Sequence, residues 1–364
     1  MSKEWNSPWN PFNSMKYLLW KKHLEACARE EYLIPPMVDI DLSPHCNYNC
    51  SFCNGYDIIK ENKPNLPTSH FLKLADFLKE WKIVSACVSG GGDSMMHPGF
   101  CEIMQRLHDN NIKIGLITNG SLFNDSNIPT VARTCRWVGI SMDASTSKTY
   151  SKIKGVSEKF FDIVCNNIQK LTQEVKDNNY KNSVCFKFLL TPDNYTEILE
   201  AVKLAKFLGV EDFHLRPVGY LNITKLEGKQ LIYTPEMLKE IDNQMEEAML
   251  LEDSTFHVYG IKHKFNPDFQ PKKNFKKCRA IPLLPTFGAD GNVHQCFDMR
   301  NRKDFIMCKH YPDVTEIARF WNSEKHKEMV RNIDINTCPR CTFSPINEII
   351  EEVIINDKMY KDFL

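Results

Sequence analysis

Six short apolar runs rich in β-branched residues recur in the first 220 residues, each followed by a segment of helical period. The runs are residues 37–43, 83–90, 112–118, 136–142, 183–190 and 212–217. Strands that alternate with helices in this way form parallel sheets with right-handed crossovers. Because six such units are too few for a closed eightfold barrel, the pattern predicts an α/β fold, a partial (β/α)6 TIM-like barrel.

The composition changes after about residue 218. A helical segment at 235–251 leads into a basic run at 262–279, and Asp290-Gly291 between apolar flanks predicts a hairpin. The end of the chain has helical periodicity. We therefore expect an N-terminal extension (1–36), a barrel (37–220), and a region of linker helix, small domain and C-terminal helix (221–364).

Charge and hydropathy exclude several classes of function. Lys plus Arg and Asp plus Glu each total 46, so the formal net charge is zero and gives no argument for a nucleic-acid partner. No apolar stretch is long enough to span a membrane, and the N-terminus has no signal-peptide core. Fourteen cysteines in such a chain point to metal or redox chemistry in a reducing, cytoplasmic compartment.

Three of these cysteines lie within eight positions, directly after the first predicted strand. Cys46, Cys50 and Cys53 have the spacing C-x3-C-x2-C. Thiolates select zinc, Cu(I) and iron–sulfur clusters, and a structural zinc site needs four ligands, the fourth of which could be His45. Alternatively, three thiolates hold three irons of a 4Fe-4S cube and leave the fourth iron open.

This cysteine motif, with the aromatic Phe52 before its last cysteine, resembles the signature of the radical S-adenosylmethionine (SAM) enzymes. The resemblance implies that SAM binds the open iron and is cleaved reductively to an adenosyl radical, which abstracts a substrate hydrogen. It also implies an electron-donating partner such as flavodoxin or ferredoxin.

The resemblance extends to the ends of the next three predicted strands. The turn SGGGD resembles the family's glycine-rich motif, although Asp stands where the family more often has Glu. An ordinary βα turn, and for Asp143 a helix cap, are the structural alternatives. The candidates for SAM binding are Phe52, Gly90, Gly91, Gly92, Asp93, Asn119, Ser141 and Asp143, and Asn119 is also a candidate for contact with the substrate.

A second group of cysteines follows the composition change. Cys278 and Cys296 frame the predicted hairpin, and Cys338 and Cys341 form a C-x2-C pair. They resemble the auxiliary-cluster domain of the SPASM/twitch branch, in its shorter twitch form, and imply a second 4Fe-4S cluster. A zinc ribbon built from the same four cysteines is the alternative. Cys308, which lies nearby, is a weaker candidate for a hydrogen donor or an extra ligand.

Polar residues within two barrel strands mark the expected substrate space. Asp39 and Asp41 share one face of the first strand, and His214 and Arg216 share one face of the sixth. Arg216 and His214 are catalytic candidates and Asp41 a weaker one; a buried ion-pair network is the alternative.

The expected reaction is the oxidation or epimerisation of a small molecule that is anionic or rich in hydroxyl groups, such as a sugar, an aminocyclitol or another alcohol. The alternatives are a peptide or protein maturase and a non-catalytic iron–sulfur or zinc-binding protein.

Overall fold

The computed structural model describes residues 5, 7, 10–11, 14–218, 231–262, 267–269, 273–300, 302–338 and 341–363. A single ten-stranded sheet organises this part of the chain, in the order β10-β9-β8-β1-β2-β3-β4-β5-β6-β7. Its strands are β1 (Met37–Asp41), β2 (Ser85–Ser89), β3 (Lys113–Thr118), β4 (Cys135–Ser141), β5 (Ser183–Leu190), β6 (Asp212–Pro217), β7 (His257–Gly260), β8 (Thr286–Phe287), β9 (Asn292–His294) and β10 (Ile306–Lys309).

Helices cover the sheet, among them the predicted helix at 235–251 and the predicted helical end of the chain. They are α1 (Lys21–Ala28), α2 (Tyr56–Lys60), α3 (Thr68–Glu80), α4 (Phe100–Asp109), α5 (Ile128–Thr134), α6 (Ser147–Lys154), α7 (Lys159–Asp177), α8 (Ile198–Phe207), α9 (Pro235–Met249), α10 (Glu316–Phe320), α11 (Glu324–Arg331) and α12 (Ser344–Glu348), and the last continues as a π-helix, Ile349–Ile355. None of the helices in the described ranges is both long and apolar enough to cross a membrane.

Strands β1 to β6 are parallel neighbours in sequence order, as the alternation of strands and helices predicted. The side chains of each strand point alternately to the two faces of the sheet. In β1, Val38 and Ile40 belong to the main apolar core, whereas Asp39 and Asp41 lie on the opposite face. The predicted partial α/β barrel is therefore confirmed, and its polar face is called the lumen face below.

The sheet continues beyond the six predicted strands on both edges. β7 adds to β6 in parallel, and β8 adds to β1 in parallel before turning into the antiparallel β9 and β10. The hairpin predicted at Asp290-Gly291 joins β8 to β9, and Gly291 adopts a left-handed φ of 83°. Strands on both sides of the predicted boundary thus belong to one sheet. The boundary itself, near residue 220, lies outside the described residues.

A second apolar cluster joins the two ends of the chain. Leu24 and Cys27 of α1 pack in it with Phe343, Ile346 and Ile350 from the C-terminal helices. Burial of this shared apolar surface holds both ends against the region that contains the second cysteine group.

Candidate active site

The first cysteine group lies in the loop that follows β1. Cys46, Cys50 and Cys53 are half-buried, and the three thiol groups are close enough to interact electrostatically. Burial raises the pKa of Cys46 to about 12, with smaller contributions from Asp93 and the other two thiols. A metal must therefore displace protons from these thiols when it binds.

The glycine-rich turn after β2 packs directly against this cysteine loop. The backbone N–H of Gly92 donates to the Ser43 carbonyl oxygen at 2.9 Å, and that of Asp93 donates to the His45 carbonyl oxygen at 2.7 Å. A Cβ atom on Gly92 would lie 1.9 Å from the His45 carbonyl oxygen. Gly91 turns the chain at a left-handed φ of 84°. The close approach of the two loops therefore requires glycine here.

Asp93 joins the glycine turn to the loop after β3. Its carboxylate accepts the backbone N–H of Met95 at 3.0 Å and that of Asn119 at 2.8 Å, and the Thr118 hydroxyl at 2.8 Å. Burial raises the pKa of Asp93, and these three donors oppose that shift. The described contacts of this carboxylate all hold protein loops together, and its predicted contact with SAM stays a prediction.

A polar network connects the loop after β3 to the cysteine loop. The Asn119 side-chain N–H donates to the Asn47 side-chain oxygen at 2.9 Å, and the Asn47 N–H donates to the Ser121 hydroxyl at 2.9 Å. The Ser121 hydroxyl in turn donates to the Asn119 side-chain oxygen at 2.6 Å. Asn119, a predicted site residue, is thus brought to the cysteine loop.

The third contact with the cysteine loop comes from the end of α6. The backbone N–H of Asn49 donates to the carbonyl of Lys154 at 3.1 Å. The Lys154 ammonium is buried, forms an ion pair with Asp143 and lies 5.8 Å from the Phe52 ring centroid. The other Asp143 carboxylate oxygen accepts the Leu189 backbone N–H at 2.6 Å.

The helix cap considered for Asp143 is wrong, because the side chain of Thr146 caps α6. Asp143 instead holds α6 and β5 together, next to the cysteine loop. A role for it in SAM binding stays a prediction.

Arg300 links the glycine turn to the lumen face. Its Nε lies 2.9 Å from an Asp41 carboxylate oxygen, and a terminal nitrogen lies 3.6 Å from Asp39. A Cβ atom on Gly90 would lie 2.6 Å from the same guanidinium. Arg300 also interacts electrostatically with Cys296. The guanidinium therefore lies between the two cysteine groups.

The lumen face carries the remaining predicted site residues. His214 is buried and its ring lies 5.3 Å from that of Tyr259, whereas Ser141 and Arg216 are half-buried. Lys187, on β5, pairs in register with Ser141 on one side and His214 on the other.

Asp39 is a buried carboxyl group of the lumen face with a raised pKa. Burial raises its pKa to about 7, while Arg300 pulls the pKa down. The Cys87 thiol, on the neighbouring strand β2, hydrogen-bonds to this carboxyl group and lowers its pKa further. Asp39 and Asp41 thus form a buried ion-pair network with Arg300, which is the structural alternative that the sequence left open for the two aspartates.

The second cysteine group lies around the apolar cluster shared by the two ends of the chain. Cys278, Cys338 and Cys341 pack against that cluster, and Cys296 is buried within it. Burial is the main cause of the raised pKa of Cys278, and the thiols of Cys341 and Cys338 raise that pKa further. The three thiols are therefore near one another. Residues 339 and 340 lie outside the described residues.

Protein groups next to these cysteines fix the surrounding backbone. Asn347 accepts the backbone N–H groups of Arg279 and Ala280 at 2.7 and 2.9 Å. Lys273 donates to the carbonyls of Ile335 and Cys338 at 2.5 and 2.6 Å, so this member of the basic run binds protein.

Cys308 lies apart from both cysteine groups. It is on β10, 8% exposed, and packs in the main apolar core rather than with the other four cysteines. Burial raises its pKa to about 12, which keeps the thiol protonated at neutral pH. The predicted role as hydrogen donor or ligand finds no supporting contact here and stays a prediction.

The donor set of both groups fits iron–sulfur clusters. Thiolates are the ligands that hold iron–sulfur clusters in proteins, and each group offers cysteine sulfurs within a half-buried or buried environment.

Two residues of this site were not selected from the sequence. Lys187 is the single charged residue in the apolar strand SVCFKFLL, and period-two alternation alone would have placed it on the lumen face. Arg300 follows Cys296 in a short irregular segment and gives no periodic signal.

Comparisons with known proteins agree with this geometry. Residues 40–232, more than half of the chain, match the Radical SAM superfamily. A tungsten-containing aldehyde ferredoxin oxidoreductase cofactor-modifying protein from Pyrococcus furiosus is 22% identical over 87% of this chain and 90% of its own. An S-adenosylmethionine-dependent nucleotide dehydratase from Selenomonas ruminantium is 28% identical over 31% of this chain, and the match spans 40% of that protein's length.

Solved structures share the fold. SuiB from Streptococcus suis, bound to S-adenosylmethionine, superposes with a TM-score of 0.65 at 15% identity, over 91% of this chain and 76% of its own. Native anSMEcpe with bound AdoMet has a TM-score of 0.56 at 13% identity, over 86% of this chain and 88% of its own. The cysteine loop contacts the glycine turn, the loop after β3 and the end of α6, and the family match covers more than half of the chain. The chain therefore belongs to the radical SAM superfamily, whose cofactors are a 4Fe-4S cluster and SAM.

Proposed function

We propose that this chain is a radical SAM oxidoreductase that dehydrogenates or epimerises a small hydroxylated molecule bound at the lumen face. The observation that carries the proposal is the position of Arg300. It lies against the glycine turn, pairs with Asp41 and Asp39, and interacts with Cys296 of the second cysteine group. The lumen therefore adjoins both places where we propose that clusters are held.

We assign the first cluster to Cys46, Cys50 and Cys53 and an auxiliary cluster, as in the SPASM/twitch branch, to Cys278, Cys296, Cys338 and Cys341. When bound, SAM and its cluster supply hydrogen-atom abstraction, and a second cluster held by four thiolates supplies a one-electron acceptor. Backbone groups of Gly90, Gly91 and Gly92 line the proposed SAM site together with Phe52, Asn119 and Ser141.

Oxidation of an alcohol to a carbonyl removes one hydrogen atom from carbon, one proton from oxygen and one electron. A residue of the lumen face must therefore accept the proton. Asp39 is better suited than Asp41, because its pKa of about 7 permits exchange near neutrality and its contact with Arg300 is longer. His214 is a second candidate, and Arg216 would orient the substrate.

The test uses anaerobically reconstituted holoenzyme, SAM, a flavodoxin or ferredoxin reductant, and sugars or cyclitols deuterated at the carbinol carbon. We expect one deuterated deoxyadenosine for each oxidised product. Regeneration of SAM, or a solvent hydrogen in an unoxidised product, would contradict oxidation and indicate isomerisation or epimerisation instead. Cys46→Ala should abolish deoxyadenosine formation, and Cys101→Ala, a half-buried cysteine on α4, is the matched control.

A peptide or protein substrate is the second candidate function. The structural similarity to SuiB, also solved with its precursor peptide SuiA at a TM-score of 0.65 over 90% of this chain, is the observation that favours it. In the same assay, deuterium transfer from a peptide, and none from small molecules, would support this alternative. Membership of the superfamily leaves the non-catalytic alternative without support. We place the enzyme in the cytoplasm, where its thiols remain reduced.

A further inference from the structure

Two cationic side chains meet on the lumen face of neighbouring strands. The two side chains are Lys187 of β5 and Arg216 of β6. Lys187 is in register with His214, and Arg216 lies two residues after His214 on the same face of β6. Both cations are half-buried, so both retain access to the lumen. The two positive charges are close enough for Arg216 to lower the pKa of Lys187.

The neighbouring strand β4 is shaped to hold the lysine. A Cβ atom on Gly139 would lie 2.6 Å from Cδ of Lys187, so the aliphatic part of the side chain lies directly over this glycine. The charged end is within electrostatic range of Cys87 on β2, the third strand from β5 in the sheet. Lys187 therefore extends across the lumen rather than out to solvent.

The described carboxylates near this lysine already have cationic partners. Asp143, which interacts with Lys187, forms a buried ion pair with Lys154. Asp39 and Asp41, on the opposite side of the lumen, both pair with Arg300. Burial and the nearby Arg216 both lower the pKa of Lys187, which shows that the surroundings oppose its charge. An incoming anion would reverse that effect.

We propose that Lys187 and Arg216 form an anion subsite that anchors the substrate of the proposed reaction by a phosphate or carboxylate group. This inference rests on the proposed function and adds the substrate class, an anionic small molecule. A lysine acts as a point charge and an arginine as a planar fork, and together they contact several oxygens of one anion. Gly139 is a specificity-determining position, because it makes room for the lysine.

The test measures the binding of two probes, inorganic phosphate and malonate, to the reconstituted holoenzyme by isothermal titration calorimetry. Lys187→Gln and Arg216→Gln should each weaken binding about tenfold to a hundredfold, the effect of losing one charge-assisted contact. Lys148→Gln changes an exposed lysine on α6 and should bind as the wild type does. Gly139→Ala should weaken binding by displacing Lys187, and circular dichroism checks that each variant folds.

Binding of phosphate alone would identify a phosphorylated substrate, and binding of malonate alone a carboxylate. No binding of either probe, or binding that survives both Gln variants, would overturn the inference. Deoxyadenosine release by the wild-type protein, measured in the same preparation, separates the two claims. Release without anion binding refutes the subsite alone, whereas anion binding without release refutes the proposed function.

Discussion

The buried ion pair of Lys154 and Asp143 permits the most quantitative stability prediction. The two side chains are 2% and 0% exposed. Lys154→Met removes the positive charge and leaves the buried Asp143 carboxylate without its ion-pair partner. Breaking a buried pair from one side costs about 3–5 kcal/mol, so for a chain of 364 residues we expect the melting temperature to fall by about 4–7 °C.

The double variant separates the ion pair from packing. Asn at position 143 still offers an oxygen to the Leu189 N–H and carries no charge to be left unpaired. Replacing both partners of a buried pair is often nearly neutral. Asp143→Asn with Lys154→Met should therefore recover most of the loss, with a coupling energy of at least about 2 kcal/mol.

The assay is thermal unfolding of the reconstituted protein, followed by far-UV circular dichroism. Lys152→Met is the matched control, because Lys152 is on the same helix and its pair with Asp193 is exposed at 66% and 48%. We expect that control to lose less than about 1 kcal/mol. Additive losses in the double variant, or an equal loss in the control, would refute the reasoning.

Three further predictions concern the turn, the histidines and the lumen. A Cβ atom on Gly92 would lie 1.9 Å from a backbone carbonyl oxygen and would push the two loops apart. Gly92→Ala should therefore weaken SAM binding about tenfold, as measured by equilibrium dialysis. An unchanged affinity for SAM would count against the assigned site. Burial lowers the pKa of the hydrogen-bonded rings of His70 and His310 to about 4, below the unfolded value, so stability should fall as the pH drops from about 6.5 to about 4. His310→Gln should flatten the dependence of melting temperature on pH, and an unaltered slope would refute this. Burial raises the pKa of Asp39 to about 7, and Arg300 opposes the rise. Because a carboxyl group with a raised pKa destabilises the folded state as the pH increases, Arg300→Gln should lower the melting temperature more at about pH 8 than at about pH 5. An equal decrease at both pH values would contradict this prediction.

The strands and helices of the barrel were predictable because each had a clear period. The run at 183–190 matches β5 at both ends, since apolar residues fill it and polar residues flank it. The extension of the sheet beyond β1 and β6 was not predicted, although the hairpin of β8 and β9 was. β8 has two residues and β9 three, so neither is long enough to show alternation. Their place beside β1 depends on the fold of the whole chain.

The candidate site was predictable where a motif concentrates the chemistry and not where distant residues converge. The thiols of Cys46, Cys50 and Cys53 are close because they lie in one loop. The approach of Arg300 to Asp41 depends instead on the way the chain after β9 returns to β1.

The number of irons bound per chain after anaerobic reconstitution tests the central claim most directly. Two cysteine groups that each hold a 4Fe-4S cluster predict about eight irons. Changing Cys46, Cys50 and Cys53 together to Ala should leave about four, and the same change at Cys278 and Cys296 should remove the other cluster. A colourless protein that binds zinc in place of iron, with no affinity for SAM, would contradict the account.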